Sequence, residues 1–575
     1  MLWTRRSFVR TSSGALVALA LPGCVGRDGV AAGDTVIFHN GVVLPVDAEF
    51  SQHAAMAIRG NRILAVGDIE TVRRAAGGRA RDVDLDGRTV LPGFIEPHMH
   101  FALKAGLGHL PDIGPFQQPT FDAALAAIGE IRDAAARVGQ DEWVVGRQFD
   151  PILLEPPRDL TTRDLDPIVP DRPAFFLNAS GHIAYANSRT LELAGLDRSS
   201  TDPPGGEYGR YPDGALNGVL YGQAAWLPIL LSNQSIADRM AGGFAEAGIG
   251  VGDEAAALGI TTVCDMATGG LSGAGELDLY RQMYSDGRMN ARIRAYLYQP
   301  AADSFDQARV NPFDGDAFVR VAGFKVVSDG SNQGFTGRQR EPYVGTDNRG
   351  LFYVEPDDLR AIVLDRAGRG WPMAIHGNGD AAIDSILDSM DAAVAAGIDV
   401  RALRVRIEHC SILHDDQIAR MQEHGMVPSF LINHVHYWGH VMRDEVFGPE
   451  KVQLLDRSAS VERAGLNWVI HSDAPVSPLG PLHMIRVAVV RDLWKEPDTI
   501  LAPDERVSVE AAIRAQTISA AWAQHEEEEL GSLEPGKLAD FVILEDDPRT
   551  VEPTLIGDIA VSETWMDGVR RFAGP

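Results

Sequence analysis

Six residues of metal-ligating type stand at the ends of short apolar runs: His98, His100, Lys325, His376, His409 and Asp473. His98-Met99-His100 closes the run Thr89 to His100. Side chains two apart on a strand share a face, so both imidazoles can grip one ion. The later ligand types arrive one run at a time. Lys325 lies in Gly323-Phe324-Lys325-Val326-Val327-Ser328-Asp329, and His376, His409 and Asp473 each close their own segment. Nine of the sixteen histidines fall between His376 and His483, a clustering that even spacing does not produce. Taken singly, each residue has an ordinary reading: surface histidines, a salt-bridged lysine, hydrogen-bonded core histidines, an aspartate capping a helix. Taken together these readings lose ground, because a lysine inside an apolar strand is costly without a special role.

The elements that must position these groups follow from patterning. Residues 34–90 alternate apolar and polar side chains around Asn40-Gly41, Gly60-Asn61 and Asp86-Gly87, the turn chemistry of β-hairpins. Asp540 to Leu544 reads as a strand, and Trp565-Met566-Asp567-Gly568-Val569 contains another hairpin turn. The two chain ends, 34–90 and 530–575, are expected to form one small β-sandwich. Between them come eight apolar strands: Thr89 to His100, Thr261 to Asp265, Arg292 to Tyr298, Val321 to Asp329, Pro372 to His376, Val405 to His409, Val427 to Leu431 and Trp468 to Asp473. Helical stretches such as Asp380 to Ala396 and Asp415 to His424 separate them. This is an α/β pattern, and eight β-α units most simply close into a (β/α)8 barrel over 91–500, with the site at the C-terminal strand ends. Residues 101–260 then form an insertion with strands and helices of its own. The acidic run Glu526 to Glu529 reads as a solvated loop.

The chain of 575 residues carries 52 Lys and Arg against 80 Asp and Glu, a formal charge of −28. That balance excludes nucleic acid and anionic membrane surfaces as partners bound through phosphate neutralisation, and leaves a small-molecule substrate. Three scattered cysteines, Cys24, Cys264 and Cys410, exclude a disulfide framework. Residues 1–33 form a processing segment. Thr4-Arg5-Arg6-Ser7-Phe8-Val9-Arg10, followed by the short apolar stretch Ala15 to Leu21, resembles a twin-arginine export signal, and Leu21-Pro22-Gly23-Cys24 resembles a lipoprotein box with Cys24 as the lipidated residue. The expectation is a periplasmic or membrane-anchored protein, touching the membrane only through that lipid, with homo-oligomerisation left open. Gly377-Asn378-Gly379-Asp380-Ala381-Ala382 fits a dinucleotide-binding pattern, but the next strand-end acid, Glu408, comes more than thirty residues on rather than about twenty. Gly270-Leu271-Ser272-Gly273-Ala274 lacks the last glycine of a nucleophile elbow, and Cys410 beside His409 reads as an inert strand cysteine.

The motifs resemble the metal-dependent amidohydrolase superfamily, in the branch that includes N-substituted formamide deformylases. The resemblance runs from Val90-Leu91-Pro92-Gly93-Phe94-Ile95-Glu96-Pro97-His98-Met99-His100 through Lys325, His376-Gly377-Asn378-Gly379-Asp380, Arg406-Ile407-Glu408-His409 and His471-Ser472-Asp473-Ala474-Pro475. It ends at Gly531-Ser532-Leu533-Glu534-Pro535-Gly536-Lys537-Leu538-Ala539-Asp540. It implies two divalent ions, zinc or similar: His98 and His100 on one, His376 and His409 on the other, a carboxylated Lys325 bridging them, and Asp473 as both ligand and proton shuttle. Two such ions activate a water to hydroxide beside a polarised carbonyl, which implies a hydrolase of non-peptide carbon–nitrogen bonds of the amide or formamide type. His182, within Asn178-Ala179-Ser180-Gly181-His182, and His436, within His434-Val435-His436-Tyr437-Trp438-Gly439-His440, are candidate donors to the developing oxyanion. Two alternatives stay open: a lactone, ester or organophosphate hydrolase on the same centre, and an exported binding protein without turnover.

Overall fold

The computed structural model describes residues 29–31, 33–139, 142–285 and 287–574, with backbone alone for 235–242. The export segment and Cys24 lie outside these residues. Eight parallel strands form the barrel sheet: β1 (Phe94–Met99), β2 (Ile260–Thr268), β3 (Arg292–Tyr298), β4 (Val319–Val327), β5 (Met373–Gly377), β6 (Arg406–His409), β7 (Val427–Phe430) and β8 (Val469–Ile470). Helices Asp380–Ala395 and Asp415–His424 sit where the apolar periodicity places them. β8 pairs with β7 along both of its residues but not with β1, where closure is made by other groups. At the mouth, Asp473 N–H donates to the His98 carbonyl (3.0 Å) and His100 N–H to that of Ala474 (2.8 Å). Lower down, buried Gln516 fills the seam, accepting from Ile95 N–H and donating its side-chain amide to the Ile470 carbonyl.

The expected first strand, Thr89 to His100, is two strands. Thr89–Pro92 leaves the barrel and pairs antiparallel with Phe541–Leu544. Gly93 makes the break, and a Cβ there would fall 2.4 Å from the Thr261 side chain. Both halves are buried throughout, so no alternation marks the division.

The sandwich supplied by both ends is one continuous sheet of eight strands. Val569–Ala573, Val561–Met566 and Phe541–Leu544 continue through Thr89–Pro92 into Thr35–Val43, His53–Arg59 and Arg62–Gly67, with Arg81–Asp84 beside Thr35–Val43. Phe38, Phe541 and Trp565 pack ring to ring in its core. Gly60-Asn61 and Asp567-Gly568 turn hairpins as expected. Asn40-Gly41 instead makes a register shift inside Thr35–Val43, and Asp86-Gly87 bends between two strands that both run parallel to it. The reason is crowding: a Cβ on Gly41 would sit 2.4 Å from the Arg88 carbonyl, so the two bends pass at close range.

Residues Val144–Phe149, Ala174–Asn178, Ile183–Ala186, Glu207–Arg210 and Leu216–Tyr221 form a separate five-stranded sheet in the insertion. Phe121, Phe149, Phe176 and Tyr185 fill one core, and Leu107, Leu177 and Trp226 belong to another toward the barrel mouth. The helix Gln234–Ala257 then returns the chain to β2, packed on Phe101–Leu107. The acidic run is solvated only in its second half, Glu528 and Glu529, while Glu526 and Glu527 are partly buried. Glu526 pairs with buried Arg294 and with Arg320 (3.1 Å), Glu527 with Arg404 (2.7 Å) and Glu529 with Arg62. Buried Arg294 needs a counter-charge, which Glu526 supplies. Among the described residues no helix is long and apolar enough to cross a membrane.

Candidate metal centre

Strand periodicity aims Glu96 and His98 at the barrel interior, with His100 just beyond the end of β1. Asp473 reaches both rings: its Oδ1 lies 3.1 Å from His98 Nε2 and 3.2 Å from His100 Nε2. Lys325, on β4 and 1% exposed, brings Nζ to 3.4 Å from His98 Nε2. His376 ends β5 with its ring 4.5 Å from that of His409, and His409 Nδ1 is 4.0 Å from Asp473 Oδ2. Five of the six expected ligand residues therefore line one cavity, with His98 packed beneath it.

The backbone is strained where it aims these groups. His409 (φ 67°), Cys410 (φ 50°) and Asp473 (φ 57°) all occupy the left-handed region, at a cost of ~1–3 kcal/mol each. At β6 this matters directly: Arg406 and Glu408 share the interior face, and the reversed backbone at His409 lets its imidazole join the mouth.

Burial, and then the neighbouring Lys325, lowers the imidazole pKa of His98, and the same pair of causes holds His376 well below the ordinary histidine range. Burial and then His376 do the same to His409. All three are neutral, with a lone pair to offer. Burial would raise Asp473, but the nearby imidazole of His98 and those around it hold its carboxyl well below the usual range, so it is ionised. Burial pushes Lys325 down to about 8.

These residues fit divalent cations. His98, His409 and Asp473 each offer a donor atom, all within 4.8 Å of one another. His409 Nδ1 and both nitrogens of fully buried His471 have no hydrogen-bond partner among the described residues, an arrangement that costs free energy unless something coordinates or bonds there. Imidazoles with a carboxylate suit zinc and similar ions. A second triple, His98, Glu408 and His471, is equally compact. Its carboxylate is already engaged: Arg406 Nε lies 2.7 Å from Glu408 Oε1, and Ser429 Oγ donates to Oε2 at 2.8 Å.

Of the two expected oxyanion donors, the structure brings one to the site. His182 lines the cavity with its ring 5.0 Å from that of His376, and burial, then His376, pushes its pKa down to about 3. His436 turns away, its Nδ1 2.9 Å from the Asp492 carbonyl oxygen and its ring on His483. From the same run it is His434 that lies near the cluster, its ring 6.4 Å from His409.

Gly377-Asn378-Gly379 clamps the loop after β4 rather than a dinucleotide. A Cβ on Gly379 would fall 1.9 Å from the Arg338 carbonyl oxygen. Cys410 is buried and its thiol is pushed well above the ordinary range by burial, which removes it as a nucleophile.

Three buried residues went without a role in the sequence reading: Asp329, Glu408 and His471. The available signal was an acid or histidine inside an apolar strand motif, which demands a partner. Asp329 Oδ1 lies 2.9 Å from His376 Nδ1, and Glu408 Oε2 lies 2.6 Å from His98 Nδ1. The cavity above, about 370 Å³, is walled largely by apolar side chains including Leu103, Leu107, Leu177, Trp226 and Leu271.

The profile of the amidohydrolase family matches residues 81–572. Protein LONG AFTER FAR-RED 3 of Arabidopsis thaliana is 31% identical over 88% of this chain and 86% of its own length. N-substituted formamide deformylase of Arthrobacter pascens is 29% identical over 93% of this chain and 97% of its own. Among solved structures, a metal-dependent hydrolase from Pyrococcus furiosus shares the fold with a TM-score of 0.66 at 24% identity, covering 90% of this chain and 100% of that one. The chain belongs to the amidohydrolase family, as a metal-dependent hydrolase of carbon–nitrogen bonds.

Proposed function

We propose that the substrate is a non-peptide amide of the formamide type, cleaved to a carboxylic acid and an amine at two divalent cations, zinc or similar. His98 and His100 would hold one cation and His376 and His409 the other, with Lys325, carboxylated, and Asp473 supplying further oxygen donors. The observation that carries this reading is the convergence of Asp473 on His98 and His100 at 3.1 and 3.2 Å, with His409 and Lys325 in the same buried cluster. Similarity to the formamide deformylase of Arthrobacter pascens supports the choice of bond. When bound, the cations supply Lewis-acid polarisation of the carbonyl and activation of water near neutral pH.

The chain's own groups do the rest. Asp473, ionised, accepts the proton that water gives up on attack and delivers it to the departing nitrogen. His182, neutral, presents an N–H to the carbonyl oxygen as negative charge develops. The apolar wall takes the substituent on nitrogen and keeps bulk water off the reacting carbonyl.

The test is metal content per chain, by plasma mass spectrometry on protein purified with bicarbonate and without chelator, joined to a panel of formamides, larger amides and lactones. About two equivalents with amine release from formamides is the expected result. Turnover of lactones alone would move the reading to carbon–oxygen bonds, and protein that neither holds nor regains metal would sink it. We also infer twin-arginine export with Cys24 as a lipid anchor, supported by Thr4 to Arg10 and Leu21 to Cys24. Export undiminished in an Arg5→Lys/Arg6→Lys variant would refute that route.

A further inference from the structure

We infer that Glu408 and Asp329 are positioning residues, one for each half of the metal centre, which fix the tautomer and direction of His98 and His376. The inference rests on the two-cation reading above. A neutral imidazole carries one N–H. With Glu408 Oε2 at 2.6 Å from His98 Nδ1, and Asp329 Oδ1 at 2.9 Å from His376 Nδ1, that hydrogen sits on Nδ1 in both rings, leaving each Nε2 with a lone pair, which on His376 accepts from Asn378 Nδ2 at 3.2 Å. His98 Nε2 is the atom that faces Asp473 and Lys325.

Neither carboxylate is free to move. Glu408 is fully buried and gripped by Arg406, whose Nε lies 2.7 Å from Oε1 and whose Nη2 donates to Oε2 at 3.0 Å. Ser429 Oγ adds a further bond to Oε2, and the same Arg406 Nη2 donates to the Pro97 carbonyl, one residue before His98. The brace thus crosses the barrel interior from β6 to β1. Asp329, also fully buried, accepts from the backbone N–H groups of Asn378 (3.1 Å), Gly379 (2.9 Å) and Arg338 (2.9 Å), which lock the end of β5 to the loop after β4.

Among the described residues the other two histidines have no such brace. His409 leaves Nδ1 unpartnered on the side of Asp473, and His100 stands at the mouth with a fifth of its side chain exposed. Each half of the centre therefore pairs one carboxylate-backed ring with one that is not. Outer partners of this kind shift metal affinity about 10–100-fold, so removing one brace should weaken one cation and spare the other.

The experiment titrates metal-free wild type, Glu408→Gln, Asp329→Asn and Asp265→Asn with cobalt(II), and with zinc against a chelator of known affinity. The cobalt absorption spectrum is recorded at each equivalent, and thermal unfolding confirms that each chain is folded. Asp265 is the control, a buried carboxylate on β2 that accepts from Thr268 Oγ1 and Tyr280 OH, both at 2.6 Å, rather than from an expected ligand. Glu408→Gln is disruptive because it removes the charge opposite buried Arg406, whose Nε lies 2.7 Å from Oε1. If that chain does not fold, Glu408→Asp is read in its place, since it keeps the charge beside Arg406 and withdraws it from His98.

Two binding steps in wild type are expected, with Glu408→Gln weakening one by about 10–100-fold, Asp329→Asn the other, and Asp265→Asn neither. Folded variants that match wild type at both steps would overturn the inference alone. So would a control that loses as much as they do. A wild type that binds no cation would overturn the metal reading and the inference with it.

Discussion

Lys325 offers the sharpest test of how the centre is assembled. In the metal-free protein, burial takes its pKa from 10.5 to about 8, so an ammonium at this position costs the fold ~3 kcal/mol. The folded protein releases this proton at a lower pH than the unfolded chain. The penalty is therefore fully present below about pH 8 and fades as pH rises toward 10.5. The same shift prepares the amine for carbon dioxide. At pH 7 about one lysine in ten is neutral, against roughly one in three thousand for an ordinary side chain.

Two measurements follow. Reconstitution of metal-free protein with zinc at constant dissolved carbon dioxide should slow about fiftyfold from pH 8 to pH 6, as the neutral fraction falls from a half to about one in a hundred. Lys325→Met should unfold at a higher temperature than metal-free wild type at pH 7, since the buried charge is gone, while failing to retain two cations. A reconstitution rate that does not change between pH 6 and pH 8, or a Lys325→Met protein with full metal content and activity, would refute the reasoning.

Asp473→Asn should keep most of its metal yet lose about 10²–10⁴ in kcat, the usual contribution of a positioned acid–base group; undiminished turnover measured by amine release would remove it as the shuttle. His182→Phe should lose about 10²–10³ in kcat with unchanged metal content, whereas a loss of metal would assign His182 to the ligand set. Asp540→Ala should destabilise the protein by about 3 kcal/mol, because fully buried Arg292, whose Nε and Nη2 now donate to Asp540 at 2.7 and 2.9 Å, would keep only Asp567 at 3.5 Å as counter-charge; thermal unfolding that stays in place would show that the barrel does not depend on this clasp.

How much of the centre is legible without coordinates depends on whether a residue's partner lies near it in sequence. His98 and His100 declare themselves because a strand's period of two fixes their common face whatever the rest of the chain does. Glu408 stands next to a recognisable ligand, yet its purpose depends on His98, 310 residues earlier in the chain. His436 illustrates the converse. Its residue type and position after β7 suit an oxyanion donor, but the loop conformation delivers its Nδ1 to the Asp492 carbonyl, and loop paths are set by long-range packing rather than by local periodicity.

Local physics alone determined the α/β class, the order of the barrel strands, the helices between them and the six ligand-type residues at the strand ends, since apolar period, turn chemistry and the cost of a buried lysine are all properties of short segments. Tertiary structure decided the rest. It split the run Thr89 to His100 at Gly93, because two fully buried strands carry no mark of which sheet each belongs to. It drew Glu526 and Glu527 out of the acidic run into pairs with Arg294, Arg320 and Arg404, and left Glu528 and Glu529 exposed. It also turned His409 and Asp473 inward through left-handed backbone, a conformation neither residue type demands, which persists only because the surrounding barrel holds it.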